Sequence, residues 1–158
     1  PDPRRAEIAF TRAATLAPDH LPSLERLASV LRRTGERHKA LRVLMRIHEL
    51  SGNDPAAQER CVMEVAQTLE DLGDVVDAER ALESHRREHP GSAAVIGALT
   101  QLYARQNAVG ALVLHLDRCA ISLREALERE PASPEAWQAL VDVLDQRGRP
   151  VASCSRGP

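Results

Sequence analysis

Apolar and small residues return along this chain at helical spacing on both sides of two glycines. Gly35 and Gly73 lie about 38 residues apart, a separation typical of helical repeat arrays. The recurring positions are Leu24, Leu27, Ala28, Leu31, Ala40, Leu44 and Ile47 around the first glycine, and Val62, Val65, Ala66, Leu69, Ala78, Leu82 and Pro90 around the second. This pattern predicts pairs of antiparallel helices, each pair turning at its glycine.

The composition favours helices throughout. Hydrophobic residues make up 43% of the chain and aromatic residues only 2%, while Ala, Leu, Glu and Arg dominate. A net charge of -2 gives no general attraction to nucleic acid or to an anionic membrane. No apolar run approaches the roughly 20 residues that a membrane-spanning helix needs. We therefore expect an all-α chain with no nucleic-acid partner and no membrane span.

The repeated spacing, together with Trp137 near the start of the last predicted helix, resembles the tetratricopeptide repeat family over about residues 1–148. The resemblance implies an α-solenoid of stacked antiparallel helical hairpins, a right-handed superhelix with about eight helices. Leucine or valine replaces most of the family's tyrosines, and the repeat lengths are unequal. These departures leave related helical-hairpin arrays open as alternatives.

The resemblance also predicts how the chain is divided. The repeat domain would cover residues 1–149 as a half repeat at 3–18, full repeats at 20–54, 55–91 and 92–131, and a final half repeat at 133–148, with 150–158 as a disordered tail. The chain begins without Met, which indicates a fragment or a processed chain. Its localisation stays open between the cytoplasm and a larger envelope-associated protein, and its Arg- and Ala-rich composition fits a bacterial source.

Local signals predict the helix ends and one irregular helix. Gly35, Gly73 and Asn107 suit the left-handed turn between paired helices, and Asp19 is placed to cap the helix that follows it. The helix predicted at about 108–129 is two turns longer than the repeat requires. We expect it either to protrude from the stack or to bend at Gly110 and Ser122.

The cysteines and histidines offer little chemistry at recognisable spacing. Cys61, Cys119 and Cys154 are odd in number and far apart, so they do not form a disulfide framework, and the first two lie on apolar helix faces. His115 and Cys119 lie four residues apart, which is half of a metal site, and a helix face is the preferred interpretation.

One short motif points to zinc. His85-Arg86-Arg87-Glu88-His89 has the H-x-x-E-H pattern, in which two histidines on one helical turn bind zinc and the glutamate acts as base. Two arginines within the motif and Pro90 directly after it oppose this reading. We therefore predict no metal, no cofactor, no catalytic residues and no enzymatic activity.

The better candidate site is the concave face that the family resemblance implies. In this family the first helix of each pair lines that face. The corresponding residues here are Glu25, Ser29, Arg32, Arg60, Met63, Gln67, Glu70, Gln101, Arg105, Gln138 and Asp142. Such a mixed polar surface predicts a scaffold that binds a peptide or protein segment.

A second hypothesis is a structural segment of a longer repeat protein. In that case the chain would stack on further repeats or self-associate through its terminal helices, with part of the Trp137, Leu140 and Leu144 stripe left exposed.

Overall fold

A computed structural model describes residues 3–52 and 54–148. Within these ranges the chain is all-α, with no β-strand, and its eight helices form helical hairpins as the repeat pattern predicts. The helices are α1 (Pro3–Leu16), α2 (Leu21–Arg33), α3 (Arg37–Leu50), α4 (Pro55–Leu72), α5 (Val75–Glu88), α6 (Ala93–Arg105), α7 (Val109–Arg129) and α8 (Pro134–Gly148). The predicted tail at 150–158 and Cys154 lie outside the described residues.

Side-chain caps fix the start of three helices. The Asp54 carboxylate accepts hydrogen bonds from the backbone N–H groups of Ala56 and Ala57 at the start of α4, at 3.0 and 3.3 Å. Ser92 and Ser133 accept in the same way at the start of α6 and α8. These bonds satisfy donors that have no partner within the helix, so they fix where each helix begins.

The prediction that Asp19 caps α2 is wrong. His20 occupies the N-cap position and makes no capping bond with its side chain, while Asp19 forms an ion pair with Arg46 of α3. A charged partner from another helix competes successfully for this carboxylate.

The turns between paired helices have the predicted backbone conformation. The φ angles of Gly35 and Gly73 are +81° and +88°, and Asn107 has a φ of +57°. Glycine adopts this left-handed region without a steric penalty, and asparagine tolerates it better than most residues do. All three residues lie at helix ends rather than within helices.

The chain divides into two compact units, and the boundary between them falls within α5, after Ala81. In the first unit, α1, α2, α3 and α4 pack in sequence. Leu24 and Ala28 of α2 share a core with Leu44 and Ile47 of α3 and with Cys61 of α4. Ala28 and Ala40 are fully buried, which lets neighbouring helices approach closely.

In the second unit, α7 packs against both α6 and α8. The long α7 is one uninterrupted α-helix, and Gly110 lies in its first turn. The expected protrusion of α7 is wrong, because its extra turns pack on α8, and the expected bend at Ser122 stays a prediction. Leu123 and Leu127, in the two extra turns, are buried in one cluster with Ala136, Leu140 and other residues of α8.

None of the helices that the structure describes combines the length and the apolar composition required to cross a bilayer.

Candidate functional site

The predicted binding residues of the first unit lie on the solvent-accessible sides of α2 and α4. Glu25, Ser29, Arg60 and Gln67 are exposed, whereas Arg32, Met63 and Glu70 are half-buried. The apolar residues of the same two helices, which repeat three and four positions apart, point into the core instead. The helical period thus separates a polar surface from a packed one.

An ion pair joins the two helices at this surface. Arg32 Nη1 of α2 lies 3.2 Å from Glu64 Oε2 of α4, and both side chains keep about a third to a half of their exposure. A second ion pair, between Arg37 and Asp71, joins the start of α3 to the end of α4 at 3.6 Å. The predicted residues on α2 and α4 therefore belong to neighbouring helices. Glu64 is a member of this surface that the sequence interpretation missed.

In the second unit the predicted residues are also accessible. Gln101 and Arg105 are exposed on α6, and Gln138 and Asp142 are exposed on α8. Gln138 donates a hydrogen bond to Asp142 across one helical turn at 3.0 Å. Such a bond orients both side chains without burying either of them.

The second unit also contains a buried ionic cluster that the sequence analysis did not predict. Arg86 donates two hydrogen bonds to one carboxylate oxygen of Glu83, at 2.9 and 3.1 Å. The other carboxylate oxygen lies 3.6 Å from Nδ1 of His115 on α7. Nε2 of His115 lies 3.4 Å from the carbonyl oxygen of Ile96 on α6, and Sγ of Cys119 lies 3.6 and 3.7 Å from the two ring nitrogens.

The two acid–base groups of this cluster hold each other in their charged forms. Interaction with His115 lowers the pKa of Glu83 to about 2, against the opposing effect of burial and with further help from Arg86. Burial alone would lower the pKa of His115, but its contacts with Cys119, Glu83 and the Ile96 carbonyl together outweigh burial and raise that pKa to about 9.

The cluster has the order of a nucleophile, a base and an orienting carboxylate, but it is closed to a substrate. Cys119 and His115 are 1% and 2% exposed, and α5, α6 and α7 contribute the groups that surround them. A nucleophile must reach the substrate atom that it attacks. We therefore assign the cluster a structural role, in which it joins α5 to α7.

One sequence signal pointed toward this cluster. His115 lies three residues after Leu112 and four before Cys119, so it falls within the apolar stripe of α7 and faces the core. A polar residue at such a position needs a buried partner. The identity of that partner was not visible, because Glu83 and Arg86 lie on a different helix.

The two histidines of the zinc motif lie close together at the end of α5. His85 is buried and His89 half-buried, with ring centroids 4.6 Å apart. Among residues 3–52 and 54–148, no three His, Cys, Asp or Glu side chains are arranged to hold a metal ion.

Burial raises the pKa of Cys61 to about 11, and the thiol donates a hydrogen bond to the Leu44 carbonyl at 3.2 Å. The Cys61 thiol is thus kept neutral and acts as part of the core.

The fold is that of a tetratricopeptide-repeat-like array of helical hairpins. It is similar to two solved structures of MamA, a protein with such a fold. A crystal structure of MamA shares 15% sequence identity and gives a TM-score of 0.54, covering 89% of this chain and 85% of that one. The MamA RS-1 ArsTM double mutant shares 16% identity and gives a TM-score of 0.52, covering 92% of this chain and 76% of that one.

Sequence comparison adds no closer relationship. Models of known protein families find no match in this sequence, and no curated protein matches it. At such low identity, the similarity to MamA establishes the fold but not the binding surface.

Proposed function

We propose that this chain is a non-enzymatic protein-interaction scaffold that holds a segment of another protein on the solvent-accessible polar faces of its hairpins, which the family resemblance places on the concave side. In the first unit this face is carried by α2 and α4, and in the second unit by α6 and α8. Arrays of this class commonly bind partners on extended surfaces, with several adjacent repeats contributing contacts. The observation that supports the proposal most directly is the row of accessible polar side chains on α2 and α4, joined by the Arg32–Glu64 ion pair.

The chemistry of the first unit's face suggests the kind of segment that it binds. The face carries the Arg32–Glu64 ion pair, a further positive charge at Arg60, further negative charges at Glu25 and Glu70, and a half-buried apolar side chain at Met63. A segment with charges of both signs around one apolar anchor would complement it. Because the helices are already ordered, this chain loses little conformational entropy when it binds.

Selection from a displayed library of random peptides tests the proposal. We expect peptides that bind the wild-type chain to bind the Arg32→Glu variant at least about tenfold more weakly, a loss of about 1.4 kcal/mol. Charge reversal at Arg32 removes an exposed ion pair worth about 0–1 kcal/mol and places a second carboxylate near Glu64, but both positions are solvated, so the variant should keep its helical circular dichroism. Arg105→Glu applies the same test to the second unit.

The matched control is Arg42→Glu, which reverses one exposed arginine on α3, away from the proposed faces. Peptide binding should change less than about twofold in this variant. Selected peptides that bind the Arg32→Glu and Arg105→Glu variants as tightly as wild type would rule out both faces.

A further inference from the structure

The outer side of α8 carries an exposed apolar stripe with acidic neighbours. Trp137, Val141 and Leu144 are spaced four and three residues apart and are 52%, 57% and 38% exposed. The indole N–H of Trp137 donates a hydrogen bond to the Pro131 carbonyl at 2.9 Å, which holds the ring in one orientation. An exposed aromatic ring fixed in this way resembles the anchors that dominate protein interfaces.

The outer side of α1 is apolar as well, but its charged neighbours are basic. Ile8 and Leu16 are 70% and 79% exposed. They line a groove of about 590 Å³ together with Glu7, Thr11, Arg12 and Thr15. Arg4, Arg5 and Arg12 occur in the same helix, and all three are exposed.

Ion pairs within the chain sharpen this difference in charge. Glu7 is the one acidic residue in the sequence of α1, and it lies 3.6 Å from Lys39 of α3. Arg147 is the one basic residue in the sequence of α8, and it pairs with Asp117 of α7 at 2.7 Å. By sequence, α1 has three arginines and one glutamate, whereas α8 has three acidic residues and one arginine, so the two helices carry opposite net charges.

We propose that the α8 face of one copy of this chain docks on the α1 face of a second copy. Trp137, Val141 and Leu144 would cover Ile8 and Leu16, and Asp145 and its acidic neighbours would lie beside Arg12. Apolar stripes drive the contact, while the opposite charges set which two helices meet. Because the two faces differ, the contact is head-to-tail, and each added copy presents a further free face.

Analytical ultracentrifugation of the full 158-residue chain over a wide range of concentrations tests this arrangement. We expect wild type to form species larger than dimers as concentration rises. The Trp137→Ser and Ile8→Ser variants should each weaken association by about tenfold or more. Met45→Ser is the matched control, because it removes an apolar side chain that is 57% exposed on α3, and it should associate as wild type does.

Charge reversal distinguishes the head-to-tail contact from a symmetric dimer. Arg12→Glu and Asp145→Arg should each weaken self-association, because each places like charges across the contact. Mixing the two variants should restore association, since the carboxylate introduced on α1 of one then meets the guanidinium introduced on α8 of the other. A monomer at every concentration, association unaffected by Arg12→Glu, or a mixture no stronger than its components would overturn the proposal.

Discussion

At the scale of single residues, His115 is where burial and charge oppose each other most directly. Its ring is nearly inaccessible, yet its contacts with Glu83, Cys119 and the Ile96 carbonyl favour the protonated form. Removing one member of such a group leaves a buried charge without compensation, which costs more than a surface ion pair contributes. Substitutions at Glu83 or His115 should therefore weaken the second unit more than substitutions on its outer faces.

The pH dependence of stability follows from these two groups. The pKa of His115 is raised from 6.5 to about 9, so its stabilising contribution is complete below pH 6.5 and is lost as the pH rises through 9. The pKa of Glu83 is lowered from 4.5 to about 2, so its contribution is complete above pH 4.5 and is lost as the pH falls through 2. The second unit should therefore be most stable between pH 4.5 and 6.5, where both contributions are complete.

Urea unfolding at a series of pH values measures this effect. Trp137 is the single tryptophan and lies in α8, so its fluorescence reports the second unit. Between pH 6.5 and 9 we expect a loss of up to about 3 kcal/mol. His115→Gln should flatten this dependence, whereas His38→Gln, which replaces an exposed histidine of α3, should leave it unchanged. An equal slope in wild type and His115→Gln would contradict the assignment.

At the same scale, the sequence predicted which side chains are exposed but not which side chains contact one another across helices. The polar faces were predictable because the helical period alone decides which residues of α2 and α4 avoid the core. The partners of His115 were not predictable, because they depend on which turn of α5 packs beside which turn of α7. The same reason explains why Asp19 was misassigned as a cap, since its partner Arg46 lies on another helix.

At the scale of helices, the ends were predictable because the residues that determine them are local. Pro22 and Pro55 occupy first turns, Ser92 caps α6, and Gly35 and Gly73 provide left-handed turns. The packing of α7 was not visible in this way. Its sequence predicted a helix that was too long for one repeat, but only the buried contacts of Leu123 and Leu127 with α8 explain the added length.

A prediction about α6 separates backbone strain from helix propensity. Asn107→Ala should destabilise the second unit by about 1 kcal/mol, because alanine is strained at the φ of +57° found after this helix. Gly97→Ala, within α6, should stabilise it by up to about 1 kcal/mol, since an added Cβ meets no atom within 4 Å and alanine favours helix.

Urea unfolding followed by Trp137 fluorescence compares both substitutions in the same unit. Asn107→Gly is the control, because glycine adopts the left-handed turn freely, and its unfolding midpoint should stay at or above that of Asn107→Ala. Destabilisation by Gly97→Ala, or no effect of Asn107→Ala, would show that packing rather than backbone conformation governs these two positions.

At the scale of the whole molecule, the MamA-like fold and the division into two compact units lead to different expectations about cooperativity. Helical repeat arrays derive their stability from each repeat and from its nearest neighbours. A short array of this kind can unfold in one step or unit by unit. The compactness of each unit favours the second behaviour, and α5, which contributes Ala78 to one unit and Leu82 to the other, is the element through which the units can couple.

Two matched core substitutions test this expectation. Leu44 and Leu123 are 1% and 0% exposed, one in each unit, and replacing either with alanine should cost about 2–5 kcal/mol in its own unit. If the units unfold separately, Leu123→Ala lowers the urea midpoint reported by Trp137 fluorescence, while Leu44→Ala leaves it nearly unchanged. Hydrogen exchange should then accelerate in α2 and α3 of the Leu44→Ala variant and stay slow in α6 and α7. Equal shifts of the Trp137 midpoint in both variants would instead show that α5 couples the units into one cooperative transition.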